Sequence, residues 1–232
     1  MGGPQRVDWD RDGRLTPAQR AQIERVLALL AADEHAPTTV RERERALRTH
    51  VLDSLAALEL EPVRAAGLMA DLGSGSGFPG IALAIALPAA EVALVESQRR
   101  KCEFLQRLCA AGDVGNAHVV CARAEEWRSG VGRCEVVLAR ALAAQPVVLE
   151  YAAPLLRMGG ALVDWRGRRD EQEERAGERA AALLGLRRVE VREVHPFEDA
   201  RSRHLHVFVK ARETPARYPR RAGVARKRPL GA

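Results

Sequence analysis

Asp71-Leu72-Gly73-Ser74-Gly75-Ser76-Gly77-Phe78-Pro79-Gly80 is the stretch whose reading decides the fold. An apolar run over 68–72 leads into it and a helically spaced apolar segment, 79–87, leaves it, so the order is strand, tight turn, helix. Gly73, Gly75 and Gly77 let the backbone turn sharply and approach a ligand with no Cβ in the way, and Pro79 is preset for a first helical turn. Glu96 closes the next apolar run about twenty residues further on, where a carboxylate can accept hydrogen bonds from both hydroxyls of a ribose. This is the pattern of a nucleotide-binding loop.

Gly75-x-Gly77-x-x-Gly80 also spells the dinucleotide fingerprint, which makes NAD and FAD alternatives to be weighed. Asp71 argues against them. A negative charge immediately before the loop opposes a pyrophosphate but suits the cationic methionyl end of S-adenosylmethionine. A purely structural glycine turn leaves Glu96 and Glu125, at successive strand ends, unexplained.

Outward from the loop, short apolar runs alternate with helical segments. Strands are expected over 68–72, 92–95, 118–121, 136–139 and 161–165, and helices over 79–87, 98–111, 145–156 and 170–184. Two later strands, 189–194 and 204–210, have no long helix between them and should form an antiparallel end to the sheet. The expected fold class is α/β: a Rossmann-like, class I S-adenosylmethionine-dependent methyltransferase arrangement with a mostly parallel seven-stranded sheet and an N-terminal helical extension. The expected divisions are 1–60 for the extension, 61–210 for the catalytic domain and 211–232 for a basic tail. In such a sheet ligands lie beyond the carboxyl ends of the strands, so Asp71, Glu96, Ala124-Glu125 and Arg140 should converge on one site.

In the extension, Thr16-Pro17-Ala18-Gln19 is a capping box with Ile23, Val26, Leu27 and Leu30 at helical spacing behind it. A second helix, 41–58, is expected to bury Leu47, Val51, Leu55 and Leu58. At the other end, residues 211–232 contain six Arg, one Lys and one Glu, which accounts for the whole net charge of +6. That tail has no apolar periodicity and reads as extended or disordered when free. Its Arg220, Arg221, Arg226, Lys227 and Arg228 are expected to contact RNA phosphates, and its removal to weaken RNA binding while leaving cofactor binding nearly intact.

With 232 residues and 47% apolar content, one sizeable core is expected. No run approaches a membrane span and the first twenty residues lack a secretory signal, so a cytoplasmic protein is expected, with no membrane partner. Cys102, Cys109, Cys121 and Cys134 have no C-x-x-C spacing and are expected as reduced core thiols. His204 and His206 share a strand face but have no third ligand nearby, so no metal is expected.

The segment after the fourth strand, Val136-Val137-Leu138-Ala139-Arg140-Ala141, has neither the Asn/Asp-Pro-Pro-Tyr/Phe motif that holds an exocyclic amine nor a Cys placed to attack a pyrimidine. A ring nitrogen such as guanine N7 carries an exposed lone pair, so its methylation needs alignment rather than a general base. Arg140 is the expected positioning residue, for substrate or cofactor, with a structural ion pair as the alternative. No residue is expected as an acid or base.

Several motifs resemble those of the bacterial RsmG family, also called GidB. They are His50-x-x-Asp53-Ser54-Leu55, the loop ending Phe78-Pro79-Gly80, Arg123-Ala124-Glu125, Arg140-Ala141, and the closing Tyr218-Pro219-Arg220-Arg221-Ala222-Gly223 and Lys227-Arg228-Pro229-Leu230. The resemblance runs from about Thr16 to the C-terminus. It implies an S-adenosylmethionine-dependent guanine-N7 methyltransferase acting on 16S ribosomal RNA or the small ribosomal subunit, working as a monomer. By that similarity Gly73, Phe78, Ala124, Glu125 and Arg140 contact the cofactor. Two positions depart from the family pattern: Ala36-Pro37-Thr38 stands for Asn-Leu-Thr, and Arg166-Gly167 for Lys-Gly. A methyltransferase for protein or small molecules, and a non-catalytic cofactor-dependent module that recognises RNA or ribosomes, are the other readings. Transfer of labelled methyl to purified small subunits separates them.

Overall fold

The computed structural model describes residues 15–231; the first fourteen residues of the expected extension and Ala232 of the tail lie outside the described residues. Helix α1 (Pro17–Ala32) opens with the expected capping box: Thr16 accepts from the Gln19 N–H and the Gln19 side chain accepts from the Thr16 N–H. A broken helix follows, made of α2 (Arg43–Ala46), a π-helical turn (Leu47–Leu52), α3 (Asp53–Leu55) and a 3₁₀ turn (Ala56–Glu59). Then come α4 (Glu61–Arg64), β1 (Leu68–Leu72), α5 (Gly80–Ala86), β2 (Glu91–Glu96), α6 (Arg99–Gly112) and β3 (Ala117–Cys121). The rest is β4 (Cys134–Arg140), α7 (Gln145–Ala152), β5 (Leu156–Arg166), α8 (Glu171–Leu184), β6 (Leu186–Glu193), β7 (His204–Lys210) and α9 (Val224–Lys227).

The seven strands pair in the order β3-β2-β1-β4-β5-β7-β6, and β7 runs antiparallel between β5 and β6. The chain reverses direction across the sheet between β1 and β4, the switch point where the ends of neighbouring strands part and leave a crevice. Alternate strand residues face opposite layers. Met69, Leu94 and Leu138 join α1, the broken helix, α5 and α6 on one side; Leu72, Val95 and Val137 join α7 and α8 on the other. The extension therefore completes one layer of the core, with Ile23, Val26, Leu27 and Leu30 buried.

Three expectations are corrected in detail. The second helix is not regular over 41–58, because Thr49 and Ser54 direct their hydroxyls to the Arg45 and His50 carbonyls and the Asp53 N–H turns to Arg48 and His50. Helix α7 stops at Ala152 rather than Leu156, since Pro154 has no N–H to extend it. Cys102 and Cys121 form a disulfide: α6 packs over β2 and β3 and brings its first turn against the end of β3, a proximity invisible in the spacing of the two residues. The other two cysteines are free, and burial pushes their thiols up, Cys109 to about 11 and Cys134 to about 12. No described helix is long and apolar enough to cross a membrane.

Candidate active site

At the switch point the carboxyl ends of β1, β2 and β4 surround a cavity of about 220 Å³ whose wall includes Gly73, Glu96, Ala124, Glu125, Leu142 and Arg226. Gly73 makes the turn possible. Its φ is +67°, and a Cβ there would sit 2.5 Å from Leu142 Cδ1, so neither backbone nor space admits a side chain. The Gly73 and Ser74 N–H groups both donate to the Val95 carbonyl, at 2.8 and 3.2 Å, stitching the loop to the end of β2.

Glu96 is the best-fixed polar group in the wall. Its Oε1 accepts from the Ser97 and Gln98 N–H groups at 2.7 and 2.8 Å, and its Oε2 from the Gly75 N–H at 3.2 Å. The carboxylate is 6% exposed and held in one orientation, with lone pairs left for the hydroxyls of a ribose. Glu125, across the cavity, accepts from the Gly223 N–H at 3.2 Å. Tyr151 faces both Glu125 and Arg226; burial, reinforced by the Glu125 charge, raises its pKa.

Residues 20–205 match the GidB family, described as rRNA small subunit methyltransferase G. The chain belongs to this family. The Ribosomal RNA small subunit methyltransferase G of Rubrobacter xylanophilus is 45% identical over 91% of this chain and 84% of its own length. That of Chloroflexus aggregans is 38% identical over 93% and 92%. Among solved structures, a SAM dependent methyltransferase from Aquifex aeolicus superposes with a TM-score of 0.57 at 16% identity, over 72% of this chain and 93% of that one. That likeness concerns the fold, and it is the class I methyltransferase fold expected above.

In this GidB chain the residues expected at the cofactor fall into three groups. Gly73, Glu96, Ala124 and Glu125 line the cavity. Gly75 supports Glu96 from behind, and Gly77 closes the turn by donating to the Ser74 carbonyl at 2.7 Å. Phe78 and Arg140 face the extension instead. Phe78 stacks on His50 with ring centroids 5.2 Å apart, and Arg140 Nη1 donates to Asp53 Oδ2 and the Thr49 carbonyl, both at 3.0 Å. Arg140 Nη2 also lies 3.4 Å from His50 Nδ1, whose Nε2 meets Thr38 Oγ1 at 3.1 Å. Burial, and secondarily the Arg140 charge, pushes the His50 imidazole down to about 4, so it is neutral at physiological pH. The π-helical turn is what frees the Thr49 carbonyl for Arg140, and so joins the extension to the end of β4.

Asp71 does not face the cavity. Its Oδ2 accepts from the Gly80 N–H at 3.0 Å, and burial, offset in part by that bond, raises its carboxyl to about 6. The charge that sequence reading assigned to a sulfonium braces the start of α5, and the acidic groups of the wall are Glu96 and Glu125.

Arg166, the departure from the family's Lys, spreads its fork over Asp164 at 2.7 Å and Glu173 at 3.0 Å, a two-carboxylate bridge that suits a planar guanidinium. The tail is docked rather than free. Arg220 pairs with the buried Glu150, and Ala225 is buried, while Arg221, Arg226, Lys227 and Arg228 stay exposed. Sequence reading missed Tyr151 and Glu150. A lone carboxylate inside the apolar run Val147-Val148-Leu149-Glu150-Tyr151-Ala152 was the available signal, because a buried charge requires a cation from elsewhere.

Proposed function

We propose that this chain transfers the methyl group of S-adenosylmethionine to N7 of a guanine in 16S ribosomal RNA of the small subunit. Family membership supports the cofactor and the RNA, and the observation that carries the chemistry is the fixed Glu96 carboxylate beside the Gly73 turn. When bound, the cofactor supplies a methyl group on a sulfonium. Glu96 holds the ribose, and the small Gly73 and Ala124 let the adenosine approach the backbone. His50, Phe78, Asp53 and Arg140 form a cluster joined by stacking and hydrogen bonds, and the residue after Arg140, Ala141, lines the cavity, so a guanine would be aligned between them. The exposed lone pair of N7 is an acceptor with no proton to lose, so the site needs no general base. His50, being neutral, acts there by positioning, and Arg140, held by Asp53 and the Thr49 carbonyl, by positioning and charge.

The exposed cations of the tail, Arg221, Lys227 and Arg228, supply phosphate contacts that orient the RNA without reading its sequence. The chain works as a monomer in the cytoplasm, where its substrate is. Incubating it with purified small subunits and methyl-labelled cofactor, then digesting the RNA to nucleosides, is the test. Label in 7-methylguanosine from 16S RNA is expected, and label in another nucleoside or in ribosomal protein refutes the reading.

A further inference from the structure

The composition of residues 211–232 predicts a solvated RNA arm, independent of the cofactor. The geometry points elsewhere. Three contacts hold the tail in place, two of them on the cavity wall. The backbone N–H and the guanidinium of Arg220 both donate to Glu150, at 3.0 Å and at 2.8 to 3.1 Å from Nε, and Glu150 is only 1% exposed. The Gly223 N–H donates to Glu125, and Arg226 Nη2 donates to the Leu142 carbonyl at 3.0 Å. Glu125 and Leu142 are both cavity wall, and so is Arg226 itself. Between these contacts Ala225 is 2% exposed, set into the apolar layer under α7.

We propose that residues 220–228 are a structural part of the cofactor site, with Arg226 a cofactor-contacting residue, so that cofactor affinity depends on the docked tail. This rests on reading the cavity as the S-adenosylmethionine site. Two features of the tail fit the role. Gly223 lies in the left-handed region, φ +81°, and starts the short helix α9 that aims Arg226 inward. Its guanidinium also completes a wall that already carries Glu96, Glu125, Lys101 and Arg123, a mixed-charge lining suited to a zwitterionic amino-acid nucleoside.

Calorimetry of the full chain with S-adenosylhomocysteine tests this, comparing wild type with Arg226→Gln and Glu96→Gln. Arg226 is exposed and the Arg220–Glu150 and Gly223–Glu125 contacts still anchor the tail without it, so its replacement should leave the thermal midpoint nearly unchanged while weakening affinity about tenfold, the scale of one charge-assisted contact. Saturating S-adenosylhomocysteine should also slow tryptic cleavage after Arg226 and Lys227. Wild-type affinity in Arg226→Gln, with Glu96→Gln weakened, overturns the role of the tail and spares the cavity assignment. Wild-type affinity in both variants removes the cavity assignment as well. Tail cleavage indifferent to the ligand also overturns the proposal.

Discussion

His50 and Asp71 show how burial sets the charge of single groups in this chain. The His50 imidazole lies between Phe78 and Arg140, so in a ring-proton NMR titration it should stay neutral until the pH falls to about 4. Arg140→Gln should move that titration upward yet leave it below 6.5, because burial is the larger cause. A His50 that titrates near 6.5 in the wild type contradicts the packing described. Asp71 has the opposite sense. In the unfolded chain its carboxyl ionises near 3.8, but in the fold it keeps its proton to about 6. The stability tied to that proton is present below about 4 and lost as the pH rises through 6. Asp71→Asn keeps an acceptor for the Gly80 N–H without the buried charge. Denaturant titrations should show the variant gaining on wild type by up to about 3 kcal/mol between pH 4 and 7, and a difference independent of pH would contradict this.

At the level of elements, much was legible. Strand β1 lies where the apolar run ends, and α1 begins at its capping box, because local spacing and capping chemistry specify both. The break in the second helix was not legible. The hydroxyls of Thr49 and Ser54 that disturb it are common in regular helices as well, and the Thr49 carbonyl it frees is taken by Arg140, 91 residues away, a partner only the tertiary fold supplies. The tail was misread for the same reason: its few apolar anchors give no period, and its main partner, Glu150, is 70 residues distant. Of the candidate site, Gly73, Glu96 and Ala124-Glu125 were readable as strand-end groups. Arg226 was readable only as a cation. Docking of the tail makes its own prediction. Arg220→Ala strands the buried Glu150 and should cost about 3 kcal/mol in urea unfolding, the low end for a broken buried pair, since the Arg220 side chain keeps 25% exposure. A loss below about 0.5 kcal/mol, the scale of an ordinary surface change, contradicts the docked tail.

Across the whole molecule, charge and fold divide the work. The sheet and its two helical layers set the cavity at the switch point, while the net charge of +6 is concentrated in the tail. Replacing Arg221, Lys227 and Arg228 together by Gln should weaken RNA binding and reduce the slope of log K against log salt by roughly 2 to 3, as about three phosphate contacts are lost. An unchanged slope contradicts the assignment of those residues to phosphate.

Methylation of a specific guanine at N7 is the claim on which the functional account stands, and it leaves a chemical mark in the cell. Mass spectrometry of 16S ribosomal RNA from cells with and without this gene reads it directly. The loss of one 7-methylguanosine in the deletion strain, restored by the wild-type chain and not by Glu96→Gln, is the predicted result. Identical 7-methylguanosine content in the two strains contradicts it.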